Sequence, residues 1–243
     1  MKKLGLKPSR RDPCLYYQAQ FDACLILYVD DIVIFGRTEA ELMSRMDEVF
    51  TRLGKAGLKV KPKKCHFFVK KTDYLGHVIS EDGVRVSPEK VAAVRDWPRP
   101  QCVTELRSFL GTASYYRRFV AGFANVAAPL HDLTKQGVKF IWTEECEKAF
   151  TELKRVLCDA PVLAFPVPEA QFVLDTDASD QGIGAVLSQL VPVGHAPDGT
   201  ELFEERVLSY ASRTLSTHEK NYCVTRKEML AVVWFLRHFR PYL

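Results

Sequence analysis

No apolar run in these 243 residues reaches the ~18 that a membrane-spanning helix needs, so no membrane partner is expected. The opening MKKLGLKPSRRDP is basic but lacks the apolar stretch of a signal peptide. The seven cysteines (14, 24, 65, 102, 146, 158, 223) include no C-x-x-C pair, and their number is odd. That argues against a disulfide framework or a zinc site. Reduced thiols and an intracellular setting, cytoplasmic or nuclear, are expected instead. There is no internal repeat and no low-complexity tract. Acid is missing altogether from Thr51 to Thr72, where eight Lys or Arg occur. Such a block suits a polyanion; a solvated surface is the plainer account, and composition does not separate the two.

What is present is ordinary for a folded chain: 47% apolar and 26% charged residues, with a net charge of +4. The length suggests one or two domains with a real core. One stretch stands out. CLILYVDDIVIFG, residues 24–36, sets Asp30 and Asp31 inside a run that is otherwise almost wholly apolar. Burying two neighbouring carboxylates there would be costly. A hairpin resolves the conflict: its strands are buried, and its tip carries the acids into solvent or onto a metal.

The rest of the chain divides by pattern. Leu42, Met46, Val49, Phe50 and Leu53 recur at helical spacing, and Gly54 and Gly57 mark that helix's end. YLGHVISEDGVRV predicts a second hairpin turning at Glu81-Asp82-Gly83. Ser87-Pro88 opens a helix that Trp97-Pro98-Arg99-Pro100 ends. Thr104 is expected to cap a longer helix carrying Leu106, Phe109, Leu110, Ala113 and Val120 inward. Thr143 caps the next, with Cys146, Ala149, Phe150, Leu153, Val156 and Leu157 on one face. Prolines from Pro161 to Pro168 suggest a boundary. Strands follow in QFVLDTDAS, GIGAVLSQ and RVLSYASR, and a last helix starts near Thr225. There Thr225 and Glu228 have the spacing of a capping box.

Several of these stretches, in this order, resemble the Pol polyproteins of gypsy-type LTR retrotransposons. YVDD (28–31) is similar to the catalytic box of reverse transcriptases. GLKVKPKKC (57–65), YLGH (74–77), LRSFLGTASYYRRFVAGFANVAAPL (106–130), TDASDQGIGAVL (176–187) and KNYCVTRKEMLAVVWFLRHFRPYL (220–243) follow. One box of four residues is a weak signal; five or six ordered motifs over nearly the whole chain are a strong one. LGLKPSRRDPCLYY (4–17) departs from the pattern and looks more like copia-type elements. A lineage variant and a chimeric junction both account for it.

The resemblance implies an α+β chain: a partial reverse-transcriptase palm (1–86), a helical thumb (87–140), a connecting segment (141–170) and the N-terminal half of an RNase H-like α/β domain (171–243). Full-length relatives make DNA from RNA and degrade the RNA of the hybrid. Their partners are an RNA–DNA or DNA template–primer duplex, dNTPs and other Pol segments.

In that family two Mg²⁺ (or Mn²⁺) ions, about 4 Å apart, clamp the reacting oxygens, and hard ions need carboxylates. Asp30 and Asp31 match that role; a plain acidic turn is the alternative. The third carboxylate comes from an earlier strand. Only Asp12 and Asp22 precede the box here, and Asp22 lies on or beside the same hairpin strand. The polymerase site is therefore expected to be incomplete. Lys64, or Lys63 one position earlier, matches a lysine near the outgoing pyrophosphate. Tyr74, Leu75, Gly76 and His77 resemble the hairpin that grips the primer end. Arg107, Gly111, Ser114 and Arg118 fall on one stripe of the expected thumb helix, suited to a phosphate backbone. Asp177 and Glu228 match the first two metal-binding acids of RNase H, whose remaining acids lie after HFRPYL in the family. The expectation is a truncated Pol fragment, inactive alone. The other readings are a non-catalytic nucleic-acid-binding protein and an expressed retroelement remnant.

Overall fold

The computed structural model describes residues 7–8, 15–17 and 25–243, with side chains from residue 26. Contacts divide the chain into two units, Met1–Leu75 and Gly76–Leu243.

In the first unit, β1 (Lys7–Pro8), β2 (Leu15–Tyr17), β3 (Leu25–Tyr28) and β4 (Asp31–Ile34) form an antiparallel sheet in chain order. The expected first hairpin is β3–β4, with Tyr28 opposite Asp31. Its strands are less buried than expected. Leu27 is buried, Ile26 and Val33 are half-buried, and Ile32 is exposed. The reason is position: among the described residues β4 is an edge strand of this sheet. The helix α1 (Glu39–Lys55) starts where Thr38 Oγ1 accepts from the Glu41 amide at 3.2 Å. It stops at Gly57, whose φ of 73° lets the Leu58 amide turn back onto the Leu53 carbonyl at 2.9 Å. A 3₁₀ turn (Pro62–Lys64) and β5 (Lys71–Tyr74) complete this unit.

The second unit opens with the expected hairpin, β6 (His77–Ser80) and β7 (Gly83–Val86). Pro88 takes the first position of α2 (Pro88–Arg95), with Ser87 before it in extended backbone. α3 (Val103–Tyr115) starts two residues earlier than a cap at Thr104 implies. Cys102 occupies the cap position, and Glu105 closes the end by accepting from the Gln101 amide at 2.7 Å. The helix also stops before Val120. The chain tightens into a 3₁₀ turn (Arg117–Phe119), and α4 (Phe123–Asp132) follows Gly122 at φ 61°. Thr143 caps α5 (Glu144–Cys158) as expected, its Oγ1 accepting from the Cys146 amide. Leu106, Phe109, Leu110, Ala113, Leu130, Phe150 and Leu153 form the heart of one core.

A second core fills the space under an antiparallel sheet ordered β10-β9-β8. Its strands are β8 (Gln171–Ala178), β9 (Gly182–His195) and β10 (Glu201–Thr214). Ile183, Leu187 and Leu208 from the sheet meet Ala231, Phe235 and Phe239 of α7 (Val224–Phe239). The capping box expected at Thr225 and Glu228 does not form: Cys223 is the cap residue and makes no side-chain bond. A true box sits one helix earlier, at Ser216 and Glu219 of α6 (Thr217–Lys220).

The proline-rich stretch is a seam. Leu163 exchanges backbone bonds with Val84 at 2.8 and 2.9 Å, and the Ala164 amide donates to Val207 O at 2.8 Å. The buried Gln189 side chain donates to Val167 O and Ala170 O and accepts from the Val167 amide. Pro breaks regular structure, but the amides of Leu163, Ala164 and Val167 find partners in β7, β10 and β9 respectively.

Candidate active sites and nucleic-acid surface

The first candidate site is the tip of the β3–β4 hairpin. The turn residues are Val29 and Asp30, and Val29 is driven to φ 55°, 60% exposed. A β-branched residue in the left-handed region costs about 1–2 kcal/mol. The sheet holds the tip tight, and Asp30 and Asp31 both stand in solvent. Tyr74, on β5, lies within electrostatic reach. Burial first, then the negative charges of Asp31 and Tyr28, push its phenol up to about 12. The Tyr74 hydroxyl is buried and has no hydrogen-bond partner among the described residues. Lys64 and Lys63 lie exposed in the 3₁₀ turn, and Leu75 is half-buried. Asp12 and Asp22 fall outside the described residues, as does most of the 4–17 stretch.

In the second unit, Gly76 and His77 form one cluster with the end of α3. Gly76 has φ 76°, and a Cβ there would sit 2.6 Å from the Tyr116 hydroxyl. The same hydroxyl donates to Gly76 O at 3.2 Å. Close approach, with the positive φ, is thus the reason for a glycine, and the group approaching it is the chain's own tyrosine. His77 stacks against Tyr115 (5.3 Å, 18°) and Phe119 (5.6 Å, 27°), with Tyr116 edge-on. Burial, and next the Arg118 cation, hold its imidazole below the usual range. Sequence reading found Gly76 and His77 but missed Tyr115, Tyr116 and Phe119. The aromatic run in ASYYRRF was the available signal.

The stripe on α3 is real for Arg107, Gly111 and Ser114, of which the first two are exposed. Arg107 donates to Thr134 O at 2.9 Å, which steadies it on the surface. Arg118 does not continue the stripe, because the helix ends at Tyr115. It sits in the 3₁₀ turn, its guanidinium 5.7 Å from the Phe119 ring centre.

The third site lies on the sheet and α7, which pack together. Asp177 is exposed on the edge strand β8, and Glu228 is half-buried in the second turn of α7. Between these elements runs a tie that the sequence did not announce. Lys227, buried, donates to Asp180 Oδ1 at 2.6 Å, and Lys220 donates to Gln181 Oε1 at 2.8 Å. The β8–β9 turn is therefore fastened to α6 and α7. Among the described residues no group of three or more His, Cys, Asp or Glu is arranged to hold a metal. Among the described residues, the hairpin tip presents Asp30 and Asp31, and the sheet with α7 presents Asp177 and Glu228.

A polymerase-type acidic hairpin, followed by an RNase H-like sheet and helix, defines the class. Sequence comparison agrees. The reverse transcriptase (RNA-dependent DNA polymerase) family matches residues 12–79, and the RNase H-like domain found in reverse transcriptase matches 142–243. The chain's relatives are Pol polyproteins of LTR retrotransposons. It is 40% identical over 222 residues to the retrovirus-related Pol polyprotein from transposon 297 of Drosophila melanogaster, covering 90% of this chain and 20% of that protein. To the Pol polyprotein from transposon gypsy of the same fly it is 37% identical over 229 residues, covering 89% and 21%. The chain thus spans about a fifth of the length of these curated relatives. Among solved structures it is similar to the foamy viral protease-reverse transcriptase in complex with dsDNA. That likeness has a TM-score of 0.73 and 25% identity, over 87% of this chain and 42% of the other. Families of both kinds generally use divalent metals.

Proposed function

We propose that this chain supplies three parts of a retrotransposon Pol enzyme that copies RNA into DNA and degrades the RNA of the hybrid. They are the acidic hairpin, a duplex-tracking helix and the first RNase H acids. In this reading residues 87–140 act as thumb and 171–243 as the first half of the RNase H domain. Asp30, Asp31, Asp177 and Glu228 are the carboxylates offered to Mg²⁺ or Mn²⁺, and the template–primer duplex, dNTPs and other Pol segments are the partners. The carrying observation is the strained hairpin tip, which holds two adjacent carboxylates in solvent inside an otherwise apolar sequence. Arg118, within electrostatic reach of His77, and Arg107 on α3 offer phosphate contacts.

The test is binding to an RNA–DNA hybrid over a salt series. Affinity should fall steeply with salt. Arg107→Ala with Arg118→Ala should weaken it without lowering the melting temperature. Salt-independent binding, or no effect of the double substitution, overturns the assignment of that surface. A nucleic-acid-binding segment without chemistry is the second reading, and primer extension separates the two. With two acids at the hairpin, this chain alone should incorporate no dNTP on primed poly(rA) with Mg²⁺ or Mn²⁺. Incorporation that Asp30→Asn abolishes would show that the hairpin already belongs to a complete site.

A further inference from the structure

Residues 58–71 of the first unit form a surface of which the polymerase reading uses only Lys64, or Lys63 beside it. Thirteen of these fourteen residues are exposed, Cys65 being the exception. Five of the thirteen are large apolar side chains: Leu58 (54%), Val60 (40%), Phe67 (45%), Phe68 (52%) and Val69 (50%). Set among them are Lys59, Lys61, Lys63, Lys64, Lys70 and Lys71, with no acid. The two phenylalanines are held differently. Phe67 rests edge-on against Phe50 of α1, with ring centres 6.2 Å apart. Phe68 takes φ 54°, a conformation rare for a bulky residue, and remains more than half exposed beside it.

We propose that this loop is a binding site for single-stranded nucleic acid, separate from the duplex surface proposed above. Its lysines track the phosphates, and Phe68 stacks an unpaired base. Charge decides the class of partner. Six cations without an acid repel a second copy of this face and attract a polyanion. An isolated aromatic ring fits a strand whose bases are unstacked, because duplex bases are already stacked on each other. Backbone geometry disfavours an anionic membrane as the partner. Membrane-surface binding typically uses an amphipathic helix, whereas this stretch is irregular apart from the three-residue turn Pro62–Lys64 and the first residue of β5.

The experiment measures fluorescence anisotropy of the whole chain with a labelled 15-nucleotide oligo(dT). A 15-base-pair duplex and phosphatidylserine vesicles are the comparison arms. Phe68→Ala should weaken oligo(dT) binding roughly 5- to 150-fold, the span of one lost base–aromatic stack. It should leave duplex binding unchanged. Phe68→Trp should restore affinity, with its emission quenched on binding. Lys59→Ala plus Lys61→Ala should lower the salt slope by about 1.4. The proposal is overturned if Phe68→Ala binds oligo(dT) like the parent chain. It is equally overturned if the vesicles bind and the oligonucleotide does not, or if neither does. Unchanged duplex binding in the Arg107 and Arg118 variant, with oligo(dT) binding still weakened by Phe68→Ala, would overturn only the earlier reading and sustain this one.

Discussion

Tyr74 reports on Asp31. Its phenol is pushed up to about 12 by burial first and then by the Asp31 and Tyr28 charges. Asp31→Asn removes one of those causes, so the Tyr74 titration should move down toward 10 without reaching it. Difference absorbance at 295 nm between the two proteins between pH 9 and 13 measures this. An unmoved phenol would mean that the Asp31 carboxylate does not face Tyr74. The sign for stability follows. A tyrosine whose folded pKa is raised keeps its contribution below pH 10 and loses it as pH climbs toward 12. At this scale the sequence was legible where a residue contradicts its neighbours. Asp30 and Asp31 were found because carboxylates do not belong in an apolar run. Gly76 was found through its motif, but its partner Tyr116 lies 40 residues along the chain, and no local pattern ties the two together.

At the scale of elements, two stretches carry the same capping signature, Ser216 to Glu219 and Thr225 to Glu228. Only the first is used. β10 ends at Thr214, so Ser216 stands where a helix must begin, and Arg213 grips Glu219 with two bonds of 2.9 and 3.0 Å. Spacing alone could not choose, because the choice depends on where the preceding strand stops. Those bonds, Arg213 first and then the Ser216 amide, hold Glu219 down to about 2. The carboxylate therefore stabilises the fold above the ordinary value of about 4.5, and that contribution is lost as pH falls from there toward 2. A partly exposed pair of this kind contributes about 1 kcal/mol. Glu219→Gln should cost that much at pH 7 and nothing near pH 2, as read from urea midpoints at the two pH values. The Lys227–Asp180 tie gives a second test, of asymmetry. Asp180→Ala strands a buried ammonium, whereas Lys227→Met removes the ammonium and fills its place with an apolar chain. Asp180→Ala should therefore destabilise more than Lys227→Met in the same urea assay. The reverse order would show that Lys227 is better solvated than its burial indicates.

At the scale of the molecule, the proline-rich stretch at 161–168 looked like a boundary, because proline and short apolar runs ordinarily mark linkers. The structure instead joins the two cores of Gly76–Leu243 there. The reason is non-local: Val84, Val207 and Gln189 supply the partners, and they are far apart in sequence. The joint extends beyond that stretch. Val207 and Tyr210 of β10 pack against the first core. The Ala124 amide donates to Ser212 Oγ at 2.9 Å, and Arg117 donates to the Ser212 carbonyl. Expressed alone, residues 171–243 would lose all of these and expose the underside of β10. They would also keep the exposed apolar stripe of Met229, Val232, Val233 and Leu236 on α7. Apolar burial is worth about 25 cal/mol per Å², so a few hundred Å² uncovered forfeits several kcal/mol. Whole-domain stability is only about 5–15 kcal/mol. The 171–243 fragment should therefore aggregate or fold poorly and leave the RNA of a hybrid uncut, while residues 76–243 should melt in one cooperative transition. Size-exclusion chromatography and calorimetry of the two fragments decide it. A monomeric 171–243 with its own sharp transition, or two separated transitions in 76–243, would show that the seam carries no cooperativity and that the sheet with α6 and α7 closes its core unaided.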